Sequence, residues 1–339
     1  MFNAEYAVAQ IPNSPEAQFA VEAVREASLL VRRVQQDMVG SGITKDDKSP
    51  VTVADFAAQA VVAKRLSDRF PGAALMGEES AVALRSEEGR ETLEQIVHFV
   101  RTVIPNASAG DVCDWIDSGI GERRATTWTL DPVDGTKGFL RRDHYAVAFA
   151  LIVDGIVQLG VLGCPDLEGA LRPAPGGAGS LLVAVRGDGA FTQRIAEPGD
   201  QWTRLHVSSV SRPADARLLR SVEKGHTDTG GIADLVQSLG IKADPVPMDS
   251  QAKYAVLAAG GGEALLRLLS PSRPDYREMA WDQAAGSIIV EEAGGRVSDL
   301  DGKPLDFSQG RTLAANRGVL ATNGRLHETL LGGLHEIGA

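Results

Sequence analysis

The sequence predicts an α+β protein of two lobes, in which a half made of helices and a meandering sheet precedes a layered α/β half. The chain of 339 residues exceeds the ~150 of an average domain, so two lobes are expected. Two β-rich runs, 145–153 and 156–163, are separated only by Asp154-Gly155, the strongest short hairpin signal, so at least part of the sheet is antiparallel. Past residue 205, short β-rich runs alternate with helical ones. The expected division is 1–205 and 206–339.

Taken in order, the first helix spans 15–39, with Phe19, Ala23, Val24, Ala27, Leu30, Val31, Val34 and Met38 on one face. A second begins near Ala54, carried by Phe56, Ala60, Val61 and Leu66 and ended by Pro71-Gly72. Asp55 then falls in its first turn, where Thr52-x-x-Asp55 has the form of a capping box. Ala74-Leu75-Met76 reads as a short strand running into Glu78 and Glu79. A third helix is expected over 86–103, with Glu87 and Glu88 in its first turn. Residues 106–121 show no period and read as loop with a short strand near Trp115. After the hairpin, 181–185 and 190–192 flank a turn at 187–189. In the second half, strands are expected at 217–222 and 264–269 and helices at 231–239 and 250–259. Another helix begins at Trp281-Asp282, where Asp282 serves locally as an N-cap. A last hairpin is expected from 296–300 and 303–305.

Composition excludes several classes of partner. With 43% apolar residues the chain is globular, and a formal charge of −11 argues against nucleic acid or an anionic membrane surface. No apolar run approaches the ~18 residues of a membrane span and no basic-then-apolar leader opens the chain, so the expected location is the cytoplasm, or an organelle lumen if a transit segment has been removed. Cys113 and Cys164 are far apart and outside any CxxC, and the six histidines show no ligand spacing. Two buried thiols are expected. Any metal must therefore rest on carboxylates, which favours Mg²⁺ over zinc.

The segment Trp128 to Leu140, WTLDPVDGTKGFL, concentrates the chemistry. Asp131 and Asp134 stand three apart, Pro132 fixes one backbone angle, and Gly135 is free to take the positive φ of a sharp reversal. Thr136 follows, where its hydroxyl would cap a new helix whose first N–H groups point forward. Carboxylates beside an anion site repel a phosphate unless cations lie between, which points to a hard divalent metal held by oxygen. An acidic surface turn has the same composition.

Four segments in order, DKSPVTVAD, MGEES, WTLDPVDGTKGFL and WDQAAGSIIVEEAGG, resemble the lithium-sensitive, magnesium-dependent phosphomonoesterase superfamily typified by inositol monophosphatase. The resemblance runs from about Val21 to Thr322. It implies a sugar-phosphatase fold, a layered α-β-α-β-α sandwich. It places Glu78, Asp131, Asp134 and the Val133 carbonyl at the metal positions, with Asp282 the ligand from the second lobe and two or three Mg²⁺ ions bound. Asp55 and Thr136 match the pair that orients and deprotonates the attacking water, and Gly135, Thr136 and Lys137 lie where backbone amides meet phosphate oxygens.

SVEKGH at 221–226, MDSQAKY at 248–254 and LRL at 266–268 are similar to the nucleotide-binding segments of the 3′(2′),5′-bisphosphate nucleotidase branch, in which the residues matching His226, Ser250, Lys253 and Arg267 contact the nucleotide. A cationic pair such as Lys253 and Arg267 suits a second phosphate, which an inositol monophosphate lacks. The chain departs from the branch at Arg142, where Gly is usual, at His144 in place of an amide, and at Leu265 in place of Tyr. The expected activity is Mg²⁺-dependent removal of the 3′-phosphate of 3′-phosphoadenosine 5′-phosphate, giving AMP, and of its 5′-phosphosulfate relative. The alternatives are an inositol (poly)phosphate 1-phosphatase and a catalytically silent nucleotide sensor. The expected partner is thus a small bisphosphorylated adenine nucleotide, with oligomeric state open.

Overall fold

The computed structural model describes residues 8–9, 14–39, 49–121, 124–196, 199, 201–221 and 228–339. Its main sheet has eight strands in the order Val8–Ala9, Trp202–Arg204, Gly189–Arg194, Ser180–Val185, Ile156–Cys164, Ala146–Val153, Thr126–Asp134 and Ala74–Gly77. All neighbours are antiparallel except the last pair. Asp154 and Gly155 take φ 49° and 80°, the twist that a two-residue hairpin needs. A second, five-stranded sheet has the order Val246–Pro247, Leu218–Arg220, Ala264–Arg267, Val319–Thr322 and Arg296–Ser298.

Strand alternation sorts side chains into layers. Val147, Phe149 and Leu151 face a core shared with the Pro15–Met38 and Ser49–Arg69 helices. The intervening Ala146, Ala148, Ala150 and Ile152 face the opposite way, onto the Ala252–Ala258 and Ala284–Glu292 helices. This side of the sheet is small because the Ala284–Glu292 helix lies against it. A Cβ at Gly160 would stand 2.5 Å from Ile288 Cγ2 and 2.8 Å from the Ala285 carbonyl. Leu265 and Ala321 close the middle layer from the second sheet, whereas Leu266 and Leu320 point outward to the Thr229–Ser238 and His327–Glu336 helices. The result is the expected α-β-α-β-α sandwich.

Several local expectations are corrected. The second helix starts at Ser49, not near Ala54, because Pro50 occupies the first turn, where its missing N–H costs nothing. Thr52 and Asp55 are therefore interior, and the capping-box reading fails. The third helix is shorter, Arg90–Val100, with Glu87 and Glu88 in the preceding turn and Glu91 in its first turn. Ala109–Asp117 is a helix rather than loop and strand, started by a capping box between Ser108 and Asp111. Gln283, not Asp282, is the N-cap of the Ala284–Glu292 helix, and it makes no side-chain cap. Arg296–Ser298 pairs with Val319–Thr322 instead of 303–305. At that turn the Asp299 carboxylate accepts the N–H groups of Asp301 and Lys303 at 3.0 and 2.8 Å, which closes the reversal without a returning strand. Cys113 and Cys164 are buried free thiols, as expected.

Arg142 ends the Thr136–Arg141 helix in the left-handed region, φ 57°, where a side chain is strained. Its guanidinium donates to the Val39 carbonyl. Both Arg142→Ala and Arg142→Gly lose that bond, but only glycine relieves the strain. In urea unfolding the glycine variant is expected to be more stable than the alanine variant by about 1 kcal/mol.

His327 is fully buried, with Nε2 2.9 Å from Ser298 Oγ and Nδ1 3.0 Å from Thr322 Oγ1. Burial, with Arg296 nearby, pushes the imidazole down to about 4. The unfolded chain takes up a proton near pH 6.5 and the folded chain only near 4, so this group withdraws stability as pH falls through that window. Urea midpoints at pH 7 and pH 4.5 should therefore fall further for the native chain than for His327→Gln.

Candidate functional site

A cleft of about 470 Å³, a ligand-sized space, opens between the two sheets and is lined by Asp55, Glu78, Glu79, Asp131, Asp134, Thr136, Lys253, Arg267 and Asp282, among others. It gathers every described site residue the sequence singles out. His226 lies outside the described residues.

The strand Thr126–Asp134 sets the geometry. In a regular strand, residues three apart point to opposite faces. Here Asp131 pairs with Ala148 and Asp134 with Ala146, so one extra residue bulges between them and brings both carboxylates to the same side. Gly135 then turns the chain at φ 97°, ψ 44°, and is itself the N-cap, so Thr136 is the first helical residue rather than a cap. Thr136 and Lys137 are exposed to the cleft. The parallel edge strand pairs Gly77 with Leu130, which delivers Glu78 beside Asp131. Asp282 arrives from the second half, half-buried in the turn before the Ala284–Glu292 helix.

Crowding these acids perturbs all of them. Burial, reinforced by Glu78, Asp134, Asp282 and Asp55, holds Asp131 well above the usual carboxylate range. Burial with Glu79 and Glu78 does the same to Asp55, and burial with Asp134 and Glu278 to Asp282. Glu78 is pushed up to about 7 by burial, Glu79 and Asp134, against the pull of a hydrogen bond with Asp131 and of Arg311. Asp134 is raised by burial but eased by Lys253 and by the Gln251 N–H, which donates to its Oδ2 at 2.6 Å. Asp131 Oδ1 is buried without a hydrogen-bond partner. Among the described residues no group of three or more His, Cys, Asp or Glu side chains is placed to hold a metal ion as it stands.

The other end of the cleft is cationic. Lys253 is buried, and burial together with Arg267 lowers it to about 8 despite Asp134, Asp249 and Glu278. Arg267 forks onto Glu278 at 3.2 and 3.0 Å, so although burial opposes its charge, Glu278 more than restores it. Ser250 sits at φ 61°, its Oγ accepting from Ala252 N at 3.1 Å.

Sequence reasoning missed the polar side chains that fix these groups. Gln251 donates to the Trp281 carbonyl at 3.0 Å and accepts from Gly286 N at 3.2 Å, linking the Asp134 turn to the Asp282 turn. Gln283 donates to Glu278 at 2.7 Å and accepts from the Tyr254 hydroxyl. The available signal was position: Gln251, Tyr254 and Gln283 each adjoin a residue already singled out. Of the departures, Leu265 lines the cleft, and His144 is buried with Nδ1 2.8 Å from Asp143 Oδ1.

The inositol monophosphatase family model matches residues 13–339. The chain belongs to the inositol monophosphatase family. Within it, a 3′(2′),5′-bisphosphate nucleotidase of Schizosaccharomyces pombe is 40% identical over 334 residues, covering 93% of this chain and 94% of that protein. One of Oryza sativa is 40% identical over 339 residues, covering 94% and 93%. The resemblance to that branch is therefore borne out. Among solved structures, the Thermotoga maritima IMPase superposes with a TM-score of 0.63 at 20% identity, covering 96% of this chain and 98% of its own. Mycobacterium tuberculosis SuhB gives 0.62 at 20% identity, covering 96% and 99%. These two share the family's fold. No described helix is long and apolar enough to cross a membrane.

Gly135 is the residue whose replacement should separate the turn from the fold. A Cβ there would stand 2.8 Å from Ser250 Cβ and 3.0 Å from the His144 carbonyl, on a backbone that disfavours side chains. Gly135→Ala is expected to lower phosphate-ester hydrolysis roughly 100-fold through displacement of Asp134 and Thr136. The accompanying loss in urea unfolding should be only about 1–2 kcal/mol.

Proposed function

We propose that the chain is a magnesium-dependent 3′(2′),5′-bisphosphate nucleotidase that hydrolyses the 3′-phosphate of 3′-phosphoadenosine 5′-phosphate to AMP and phosphate, and acts likewise on the 5′-phosphosulfate relative. The observation that carries this reading is the polarity of one cleft. A carboxylate end and a buried cationic end, Lys253 with Arg267, suit a substrate with an anionic group at each end.

The inositol monophosphatase family is generally magnesium-dependent. The donor set fits that ion: Glu78, Asp131, Asp134 and Asp282 offer only oxygen, the Val133 carbonyl lines the same wall, and Asp131 Oδ1 has no protein partner. We assign these five residues as the holders of two or three Mg²⁺ ions. When bound, the ions supply positive charge that draws in the phosphate and stabilises charge developing during in-line displacement.

The chain's own residues do the rest. Asp55, kept proton-avid by burial, receives the proton of the attacking water by way of the Thr136 hydroxyl. The water oxygen bonds to phosphorus as the bond to the nucleoside 3′-oxygen breaks, and that oxygen leaves as the alcohol with a proton from solvent, without a phosphoenzyme. The backbone N–H groups of Gly135, Thr136 and Lys137 border the cleft at the start of the helix and hold the phosphate oxygens. Ser250, Lys253 and Arg267 anchor the second phosphate, and His226 is assigned to the nucleotide from the resemblance. The division at 205 separates the segment that supplies Asp55, Glu78, Asp131 and Asp134 from the one that supplies the cations and Asp282.

Phosphate release in Mg²⁺ from 3′-phosphoadenosine 5′-phosphate and from inositol 1-phosphate, measured in parallel, tests this assignment. Strong preference for the nucleotide is expected, with activity abolished in Asp131→Asn. Lys253→Met should raise KM for the nucleotide roughly 10- to 100-fold, the worth of a charge-assisted contact, and that for the inositol ester by much less. Preference for the inositol ester would overturn the substrate assignment, and nucleotide binding without turnover would make the chain a sensor.

A further inference from the structure

Glu78 is the one proposed metal ligand that directly follows an edge strand, Ala74–Gly77, which has a sheet neighbour on one side only. An edge carboxylate crowded by like charges should drift, yet the backbone on both sides of it is held. Arg311, 234 positions away in sequence, donates from Nη2 to the Gly77 carbonyl at 2.7 Å, and its guanidinium lies 4.5 Å over the Trp281 ring. Its own backbone carbonyl accepts from Ala280 N at 2.9 Å. On the far side, the Gln59 carboxamide accepts from Glu79 N at 3.0 Å and donates to the Glu79 carbonyl at 2.8 Å, a two-way pairing that imitates the next strand of the sheet. Its remaining donor reaches the Ile116 carbonyl at 2.9 Å.

The fit leaves little slack. Gln59 is fully buried, and a Cβ on Gly77 or Gly119 would approach its carboxamide to 2.5 and 2.9 Å. Each clamp also leads to another functional acid. Gln59 is one helical turn after Asp55, so the two share a face of the Ser49–Arg69 helix. Arg311 stacks on the residue immediately before Asp282.

We infer that Gln59 and Arg311 are positioning residues that clamp the backbone on either side of Glu78 and hold it in register with Asp55 and Asp282. This rests on the assignment of Glu78 as a metal ligand. Neither side chain touches substrate in this account. They act by keeping three acids from three elements at fixed separation, the role that outer partners play around a metal.

The test uses Mn²⁺ as the probe, its binding to the substrate-free full chain followed by electron paramagnetic resonance, with thermal melting in parallel. Arg311→Lys keeps the charge but loses the planar fork and the stack, and Gln59→Met keeps the volume but loses the pairing. Each is expected to weaken Mn²⁺ binding roughly 10- to 100-fold. Leu330→Ala, destabilised in the distant outer layer, should melt lower yet bind Mn²⁺ as the native chain does. If Arg311 acted only through its charge, Arg311→Lys would bind normally and Arg311→Met more tightly, which overturns the inference. Native-like binding by a folded Gln59→Met would do the same, and if that variant does not fold, Arg311→Lys decides. Failure of the native chain to bind Mn²⁺ would remove the metal assignment and this inference with it.

Discussion

The mutual repulsion of buried carboxylates is the constraint on which the rest of the structure depends. Asp55, Glu78, Asp131, Asp134 and Asp282 approach one another in a partly desolvated cleft; burial and neighbouring acids raise Asp55, Glu78, Asp131 and Asp282, and burial raises Asp134 against the pull of Lys253 and Arg267. Such an arrangement persists only if the elements that carry it are fixed by something other than the acids. Four different supports are visible: a bulged strand next to the sheet's edge, a parallel edge strand, a long helix packed face-on against the sheet, and a turn before a helix buried over Ala284–Val290. The free energy stored in that crowding is what an added cation would release.

The cationic end of the cleft solves the converse problem. Lys253 and Arg267 would repel one another in isolation, and Glu278 stands with them, bonded to Arg267 and to Gln283, the residue after Asp282. The cationic and acid-bearing segments are thus joined through two neutral carboxamides, Gln251 and Gln283. Carboxamides satisfy donors and acceptors without adding charge, which is what a site already rich in both signs requires.

Much of this was legible in the sequence where the signal is local. The Asp-Pro-Val-Asp-Gly turn, the Asp154-Gly155 hairpin and the Pro15–Met38 helix depend on residues within a few positions of one another, so residue types and spacing suffice. The Ala109–Asp117 helix was not legible, because only Val112, Cys113 and Ile116 mark its buried face. Val319–Thr322 was missed and the 303–305 partner misassigned for a different reason: both neighbours of this strand are distant in sequence, and register is decided by tertiary packing. Asp55 and Asp282 looked like caps because helix starts were placed five residues late and three residues early. Gln59 and Arg311 gave no sign at all, since what they hold is backbone far along the chain.

The middle layer carries a wider consequence. The Ala252–Ala258 and Ala284–Glu292 helices are buried between the two sheets, and Asp282 heads one of them while Asp131 and Asp134 end a strand of the opposite sheet. A cation shared by these acids would act as a rivet across the seam between the sheets. Filling the site and tightening the molecule would then be one event, so the ion content of the surroundings would set how firmly the two sheets are held together.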